Sequence, residues 1–141
     1  MPGRGLVARN AAAGAIFLAL QRTTLSKNTN FGLKMDGSGA GSVLSAISDS
    51  LVANNGAGLL AQGGPAPAAT IQITRSSVVH NTTAGVQSVG GNAFIFVSNT
   101  LMSGNATAVQ AVGAGTLLSY KNNAIDANFA PGAFTGTLVP E

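Results

Sequence analysis

The sequence contains no cysteine, no tryptophan and only four acidic residues among its 141 positions. Without cysteine, neither a disulfide framework nor a thiolate metal site can form. Because there is also only one histidine, the chain has too few nitrogen and sulfur ligands for a transition-metal centre. We therefore expect no cofactor.

Charge of either sign is scarce as well. Charged residues make up 8% of the chain, whereas about 25% is usual for a globular protein. Long solvated helices depend on charged outer faces, so few helices are expected. The 19 glycines fit closely stacked strands joined by sharp turns. The net charge of +3 is not gathered in any basic run, so we expect no nucleic-acid partner.

The first 22 residues have some features of a signal peptide. Arg4 and Arg9 precede an apolar stretch at 11–20. No small-x-small cleavage site follows this stretch, which is also too short for a membrane span. We therefore expect folded protein here, with no signal peptide and no membrane span.

A pattern anchored on asparagine recurs five times at intervals of 23 to 27 residues. In the fourth copy the alignment places Gly104 at the anchor and the asparagine one residue later. The structural turn column is predicted to contain Asn28, Asn54, Asn81, Asn105 and Asn128.

Aliphatic or aromatic residues recur at fixed distances from the anchor. Three positions before it lie Leu25, Leu51, Val78, Leu101 and Ile125. Eight positions before it lie Leu20, Ala46, Ile73, Phe96 and Tyr120, and ten before lie Leu18, Leu44, Ile71, Phe94 and Leu118. Four and five positions after it lie Gly32, Gly58, Gly85, Ala108 and Gly132, then Leu33, Leu59, Val86, Val109 and Ala133. The alternation before the anchor has the period of a strand.

A repeat of this length, with short strands broken by glycine and asparagine, predicts one coil of a parallel β-solenoid. We expect an all-β chain with one domain over 1–141. Its coils should lie near 15–39, 40–68, 69–91, 92–114 and 115–139. The segment GLVARN at 5–10 is similar to the last strand of a coil.

The repeated pattern I-x-I, then S/N-x-V/I-x-x-N-x-x-x-G-V/I, resembles the right-handed parallel β-helix repeat of the pectin-lyase-like superfamily. The resemblance covers about residues 15–138. It implies right-handed coiling, a secreted or cell-surface bacterial protein, and a short β-helix or the C-terminal piece of a longer one. The fold carries lyases, hydrolases, tailspikes and adhesins, so it selects no activity.

Catalysis on such a fold needs carboxylates. Hydrolases use a pair of them, and many lyases hold Ca²⁺ with several. The chain offers only Asp36, Asp49, Asp126 and Glu141. Asp49 and Asp126 are three coils apart, or about 14 Å, which exceeds the separation that glycosidases use. We therefore expect no enzyme.

Two functions stay open at this point. One is a non-catalytic structural or binding β-helix, carbohydrate-binding and homo-oligomeric. The other is a fragment or subunit of a carbohydrate-active enzyme, a polysaccharide lyase or glycoside hydrolase, whose catalytic coils lie elsewhere. The small number of acids favours the first.

The expected carbohydrate partner is an acidic polysaccharide. Arg22 and Arg75 both lie six positions before an anchor, and Lys121 lies one residue off that column. The same row is completed by Ser48, Ser98 and Asn122. Guanidinium groups at coil spacing suit the carboxylates of uronate sugars.

Two further surface features are expected. The only histidine, His80, should point outward at a turn with no motif around it. An apolar stripe should also be exposed and mediate the homo-oligomer, unless an open coil end does so. The residues of this stripe are Ile47, Val52, Val79, Ile95, Val97 and Met102.

Overall fold

The computed structural model describes residues 3–65 and 68–139. The described strands, in chain order, are β1 (Leu6–Arg9), β2 (Ala15–Gln21), β3 (Thr24–Ser26), β4 (Phe31–Asp36), β5 (Ser42–Ser48), β6 (Leu51–Ala53), β7 (Ala57–Gln62), β8 (Ala69–Thr74), β9 (Ser77–Val79), β10 (Ala84–Val89), β11 (Ala93–Ser98), β12 (Leu101–Ser103), β13 (Thr107–Val112), β14 (Thr116–Ser119), β15 (Ala124–Asp126), β16 (Ala130–Gly132) and β17 (Gly136–Thr137). No helix over these ranges is long and apolar enough to cross a membrane.

Strands three apart in the sequence pair in parallel, so the chain winds as a solenoid. The first sheet has the order β17-β14-β11-β8-β5-β2, the second β15-β12-β9-β6-β3, and the third β1-β4-β7-β10-β13-β16. Each of the five coils contributes one strand to each sheet. The predicted all-β parallel solenoid of about five coils is confirmed, and β1 joins the third sheet with Leu6 opposite Leu33.

Side chains of one type stack in columns inside the solenoid. One column runs through Leu25, Val52, Val78, Met102 and Ile125 in the second sheet. Another runs through Leu33, Leu59, Val86 and Val109 in the third sheet. The middle members of both columns are fully buried. Since no single coil encloses these side chains, each coil depends on its neighbours for stability.

In the second sheet, two of the predicted core residues lie outside. Leu51 and Leu101 are each 39% exposed, while their neighbours Val52 and Met102 are fully buried. The prediction was wrong because Asn55, rather than Asn54, occupies the anchor position of the second coil. Likewise the asparagine, and not Gly104, occupies it in the fourth coil.

The length of the turn after the anchor explains the error. Two residues separate the asparagine from the next strand in coils 1 and 3, but one residue separates them in coils 2 and 4. The alignment therefore places the columns after the turns of coils 2 and 4 correctly and shifts the columns before them by one residue. In coil 5, where Asn128 is the anchor and one residue also follows it, the column after the turn is shifted instead, so that Gly132, and not Ala133, pairs with Val109. In a strand such a shift reverses the face of every side chain.

The same shift affects the first sheet. Four side chains that were predicted to point inward lie on its outer face: Leu44, Ala46, Phe94 and Phe96. The inward positions belong to Ser45, Ile47, Ile95 and Val97. In the fifth coil Leu118 and Tyr120 point outward beside the buried Leu117 and Ser119. The cause there is one extra residue in the corner between β14 and β15.

The predicted exposed apolar stripe was also wrong. Ile47, Val52, Ile95, Val97 and Met102 are at most 1% exposed and belong to the core, and Val79 is half-buried. The homo-oligomer stays a prediction, with an open coil end as the surface that is left for it.

Candidate functional site

Charged side chains gather at two corners of the coil, where one residue per coil has left-handed backbone. The first corner column contains Arg22, Asp49, Arg75, Asn99 and Lys121, and the second contains Lys27, Asn54, His80, Gly104 and Ala127. Such a φ is uncommon outside glycine, and it turns the chain sharply between sheets. Four of the seven basic residues therefore project from corners rather than from sheet faces.

The predicted basic row differs from the observed one. Asp49, and not Ser48, lies between Arg22 and Arg75, and Lys121 lies within the column rather than beside it. Two parallel hydrogen bonds join Arg75 to Asp49, from Nε to Oδ1 at 2.9 Å and from Nη2 to Oδ2 at 3.1 Å. The first three members of the row therefore alternate in charge.

The other members of that row lie apart from the arginines. Ser48 and Ser98 belong to the adjoining outward column of the first sheet. Asn122 is the extra corner residue of the fifth coil, and its Oδ1 accepts the backbone N–H of Asn99 at 3.0 Å. Neither serine is placed to complete a guanidinium row.

Ion pairing shifts the pKa of two groups in this corner. Hydrogen bonds from the Arg75 guanidinium lower the pKa of Asp49, and the carboxylate in turn raises the pKa of Arg75. Both groups are exposed, so solvent screens the pair. Arg75 is thus already occupied by a carboxylate of its own chain.

The remaining described carboxylates are dispersed. Asp36 lies 3.5 Å from the Lys34 ammonium. Burial would raise the pKa of Asp36, but hydrogen bonds from Ser38 and the charge of Lys34 outweigh it, so the pKa is lowered. Asp126 is exposed at the end of β15, and Glu141 lies outside the described residues. Within 3–65 and 68–139, no three His, Cys, Asp or Glu side chains lie together.

His80 is exposed at the second corner, as predicted. Its imidazole lies over Gly104 of the next coil, where a Cβ would come within 2.5 Å of Nδ1. The glycine is therefore needed to make room for the ring. The His80 ring thus packs against the backbone of Gly104.

The predicted asparagine column is a hydrogen-bonded ladder made by Asn28, Asn55, Asn81, Asn105 and Asn128. Each Oδ1 from the second coil onward accepts both the backbone N–H and the Nδ2 of the asparagine one coil earlier, at 2.9 to 3.1 Å. From Asn55 onward, Nδ2 also donates to a carbonyl of the preceding coil's second-sheet strand. Because the amides are used internally, the column is structural.

The outer face of the first sheet carries most of the aromatic side chains. Four of the seven aromatics project from it or its edge: Phe17, Phe94, Phe96 and Tyr120. Phe17 is 78% exposed. Between the rings lie Ala46 and Gln72, both exposed, in the same outward column as Phe96.

Two shallow depressions cross this face and meet at Ala46 and Gln72. The first depression, of about 260 Å³, is bounded by Phe17, Leu44 and Thr70. The second depression, of about 290 Å³, is bounded by Thr74, Phe96 and Tyr120. Small side chains at Ala19 and Ala46 form the floor, and larger ones in the flanking columns form the walls. We call the two depressions together the groove.

The lining of the groove is uncharged. It combines aromatic and aliphatic carbon with the hydroxyl groups of Ser48, Thr70, Thr74 and Ser98 and the amide of Gln72. Such a surface can contact apolar faces of a ligand and also hydrogen-bond to its hydroxyl groups. The lining contains no carboxylate, imidazole, ammonium or guanidinium group.

Sequence reasoning missed Phe17, Gln72, Phe96 and Tyr120 as surface groups. A signal was present, because moving the anchors of the second and fourth coils to Asn55 and Asn105 places Phe96 and Ala46 in an outward column. The two aromatics at the ends of the groove carry no repeat signal.

Comparison with protein-family models, with curated proteins and with solved structures finds no match for this chain.

Proposed function

We propose that the chain is a non-catalytic binding β-solenoid that holds a polysaccharide on the outer face of its first sheet. The observation that carries this proposal is the groove, where three aromatic rings, those of Phe17, Phe96 and Tyr120, border a floor of small and amide side chains. Aromatic rings stack on the apolar faces of pyranose rings, while hydroxyl and amide groups bond to their hydroxyl groups.

The distribution of acids supports binding without cleavage. Asp36 and Asp49 each have a cationic partner within their own chain. Glycoside hydrolysis needs one carboxyl group with a raised pKa and a second group nearby. The pKa values of Asp36 and Asp49 are lowered instead.

Affinity electrophoresis in gels containing single polysaccharides tests the proposal. The panel holds cellulose derivatives, xylan, mannan, polygalacturonate and alginate. The protein should be retarded by at least one of them. The affinity of the variant Phe96→Ala/Tyr120→Ala should fall by about tenfold or by a larger factor, because two stacking surfaces are lost.

Phe129→Ala is the matched control. Phe129 is 96% exposed in a turn after β15, away from the groove, so its removal should leave retardation unchanged. Circular dichroism and thermal melting establish that the double variant is folded. Absence of retardation across the panel, or equal retardation of parent and double variant, would contradict the proposal. Release of unsaturated products from the uronates would favour the enzyme alternative.

A further inference from the structure

The groove extends along the whole solenoid. It begins at Phe17 in the first coil, passes Ala46 and Gln72 in the second and third, and ends at Phe96 and Tyr120 in the fourth and fifth. Four coil steps span about 19 Å along the axis. The path is oblique, because Phe17 and Tyr120 lie in different outward columns of the sheet.

The charges nearest the groove lie in the first corner column. There Asp49 neutralises Arg75 and lies in the coil between Arg75 and Arg22. Arg22 and Lys121 lie in the same column, but neither lines the groove, so a chain of uronate sugars there would meet no cation along its lining. A carboxylate that binds without a paired cation loses its hydration and gains no ion pair in return. The lining thus fits an uncharged ligand.

Gln72 lines both depressions. Its column neighbours Ala46 and Phe96 have no hydrogen-bonding side-chain group, whereas Gln87 and Gln110 on the third sheet bond to each other at 2.8 Å. An exposed amide offers donors on one side and an acceptor on the other. It is therefore placed to contact two successive units of one ligand.

We infer, on the basis of the proposed function, that the ligand is a neutral, unbranched glycan chain lying obliquely along the groove, with Gln72 bonded to the units on both sides of it. The groove spans four coil steps, or about 19 Å along the axis, so several sugars can lie in it at once. Affinity therefore grows with chain length.

Calorimetric titration with oligosaccharides of two to six units tests this inference. The probes are β-1,4-linked gluco-, xylo- and manno-oligosaccharides, with oligogalacturonates of equal length as the acidic series. Affinity for a neutral series should rise with length until the groove is filled. Gln72→Ala should weaken the longest neutral probe by about fivefold to tenfold, as expected for lost hydrogen bonds, and weaken the dimer less.

Gln110→Ala serves as the matched control, because it removes an amide from the outer face of the third sheet. It should bind as the parent does. Tighter binding of oligogalacturonates, no gain in affinity beyond the dimer, or an unchanged Gln72→Ala variant would overturn the inference. If the protein still binds a polysaccharide in gels through Phe96 and Tyr120, the proposed function stands while this inference fails. If no probe of either experiment binds, both fail.

Discussion

Arg75 in the third coil donates two parallel hydrogen bonds, of 2.9 and 3.1 Å, to the carboxylate of Asp49 in the second. Both residues have left-handed backbone, with φ of 45° and 51°. The corner column that presents charge to solvent is thus partly neutralised within the chain. This pair is the reason why a row of arginines cannot be inferred from spacing alone.

Replacing Arg75 by glutamine should raise the pKa of Asp49 towards its ordinary value. The folded pKa is now lowered, so the pair contributes stability above the unfolded value of about 3.9 and loses it as pH falls through the folded pKa. The effect on stability should be small because both groups are exposed. NMR titration of the Asp49 carboxyl gives the answer, with Arg22→Gln as control. An equal Asp49 pKa in Arg75→Gln and parent would speak against the pair.

Asn55→Asp should destabilise the protein by more than about 3 kcal/mol at pH 7. The side chain is 1% exposed, and a carboxylate there cannot donate to the Leu25 carbonyl or to Asn81 Oδ1. Burial should raise the pKa of the new carboxyl, so stability should be present at low pH and lost as pH rises through the folded value. Asn54→Asp, at the exposed neighbour, should change stability little. Urea unfolding measures the free energy of unfolding of both variants. An equally small loss in Asn55→Asp and in Asn54→Asp would show that the ladder contributes nothing to stability.

Val52→Asp and Leu51→Asp test the register of the second sheet. Val52 is fully buried, so an unpaired charge at that position should unfold the chain. Leu51 is 39% exposed, so its carboxylate stays hydrated and the variant should remain folded. Far-UV circular dichroism and thermal melting distinguish the two. The opposite ranking of the variants would restore the register with Asn54 at the anchor.

Repetition of like residues was enough to predict the solenoid, its five coils and the amide ladder. It could not predict the register within the second and fourth coils, nor that of the first sheet in the fifth coil. Leu51 and Val52 are both apolar, and Asn54 and Asn55 are identical, so each choice satisfies the same pattern. The deciding difference lies in the turn after the asparagine, which holds the buried Gly56 in one coil and the exposed pair Thr82 and Thr83 in the next, and such turns have no periodic signal.

The same ambiguity of register kept the groove from being predicted. One residue of shift moves Phe96 from the core to the surface and moves five aliphatic side chains the other way. The ion pair of Arg75 also depends on the correct register, because Asp49 must lie in the same column. The outward columns of this solenoid are therefore harder to predict from the sequence than the fold, because they depend on the length of each turn.

Ser45→Ala should stabilise the protein by about 1 kcal/mol. Ser45 is 5% exposed, and its Oγ has no hydrogen-bond partner among the described residues, in a column otherwise formed by Leu18, Ile71 and Ile95. Ser88→Ala is the matched comparison, since that buried Oγ donates to the Ala93 carbonyl at 3.0 Å and its loss should destabilise. Urea midpoints measure both changes. A loss of stability in Ser45→Ala would mean that its hydroxyl has a partner, such as water.

The ladder has a consequence for where this chain can be made. Asn81-Thr82-Thr83 and Asn105-Ala106-Thr107 are acceptor triplets for N-linked glycans. Both asparagines are 1% exposed, and the Nδ2 of each donates two hydrogen bonds. Only the unfolded chain can therefore be glycosylated. A glycan on Nδ2 would then replace a proton that the ladder uses. In a eukaryotic secretory pathway, coil stacking would compete with oligosaccharide transfer. Mass spectrometry and limited proteolysis should find that the secreted parent is glycosylated and protease-sensitive, whereas the variant Thr83→Ala/Thr107→Ala is protease-resistant. An unmodified and resistant parent would show that folding is faster than oligosaccharide transfer.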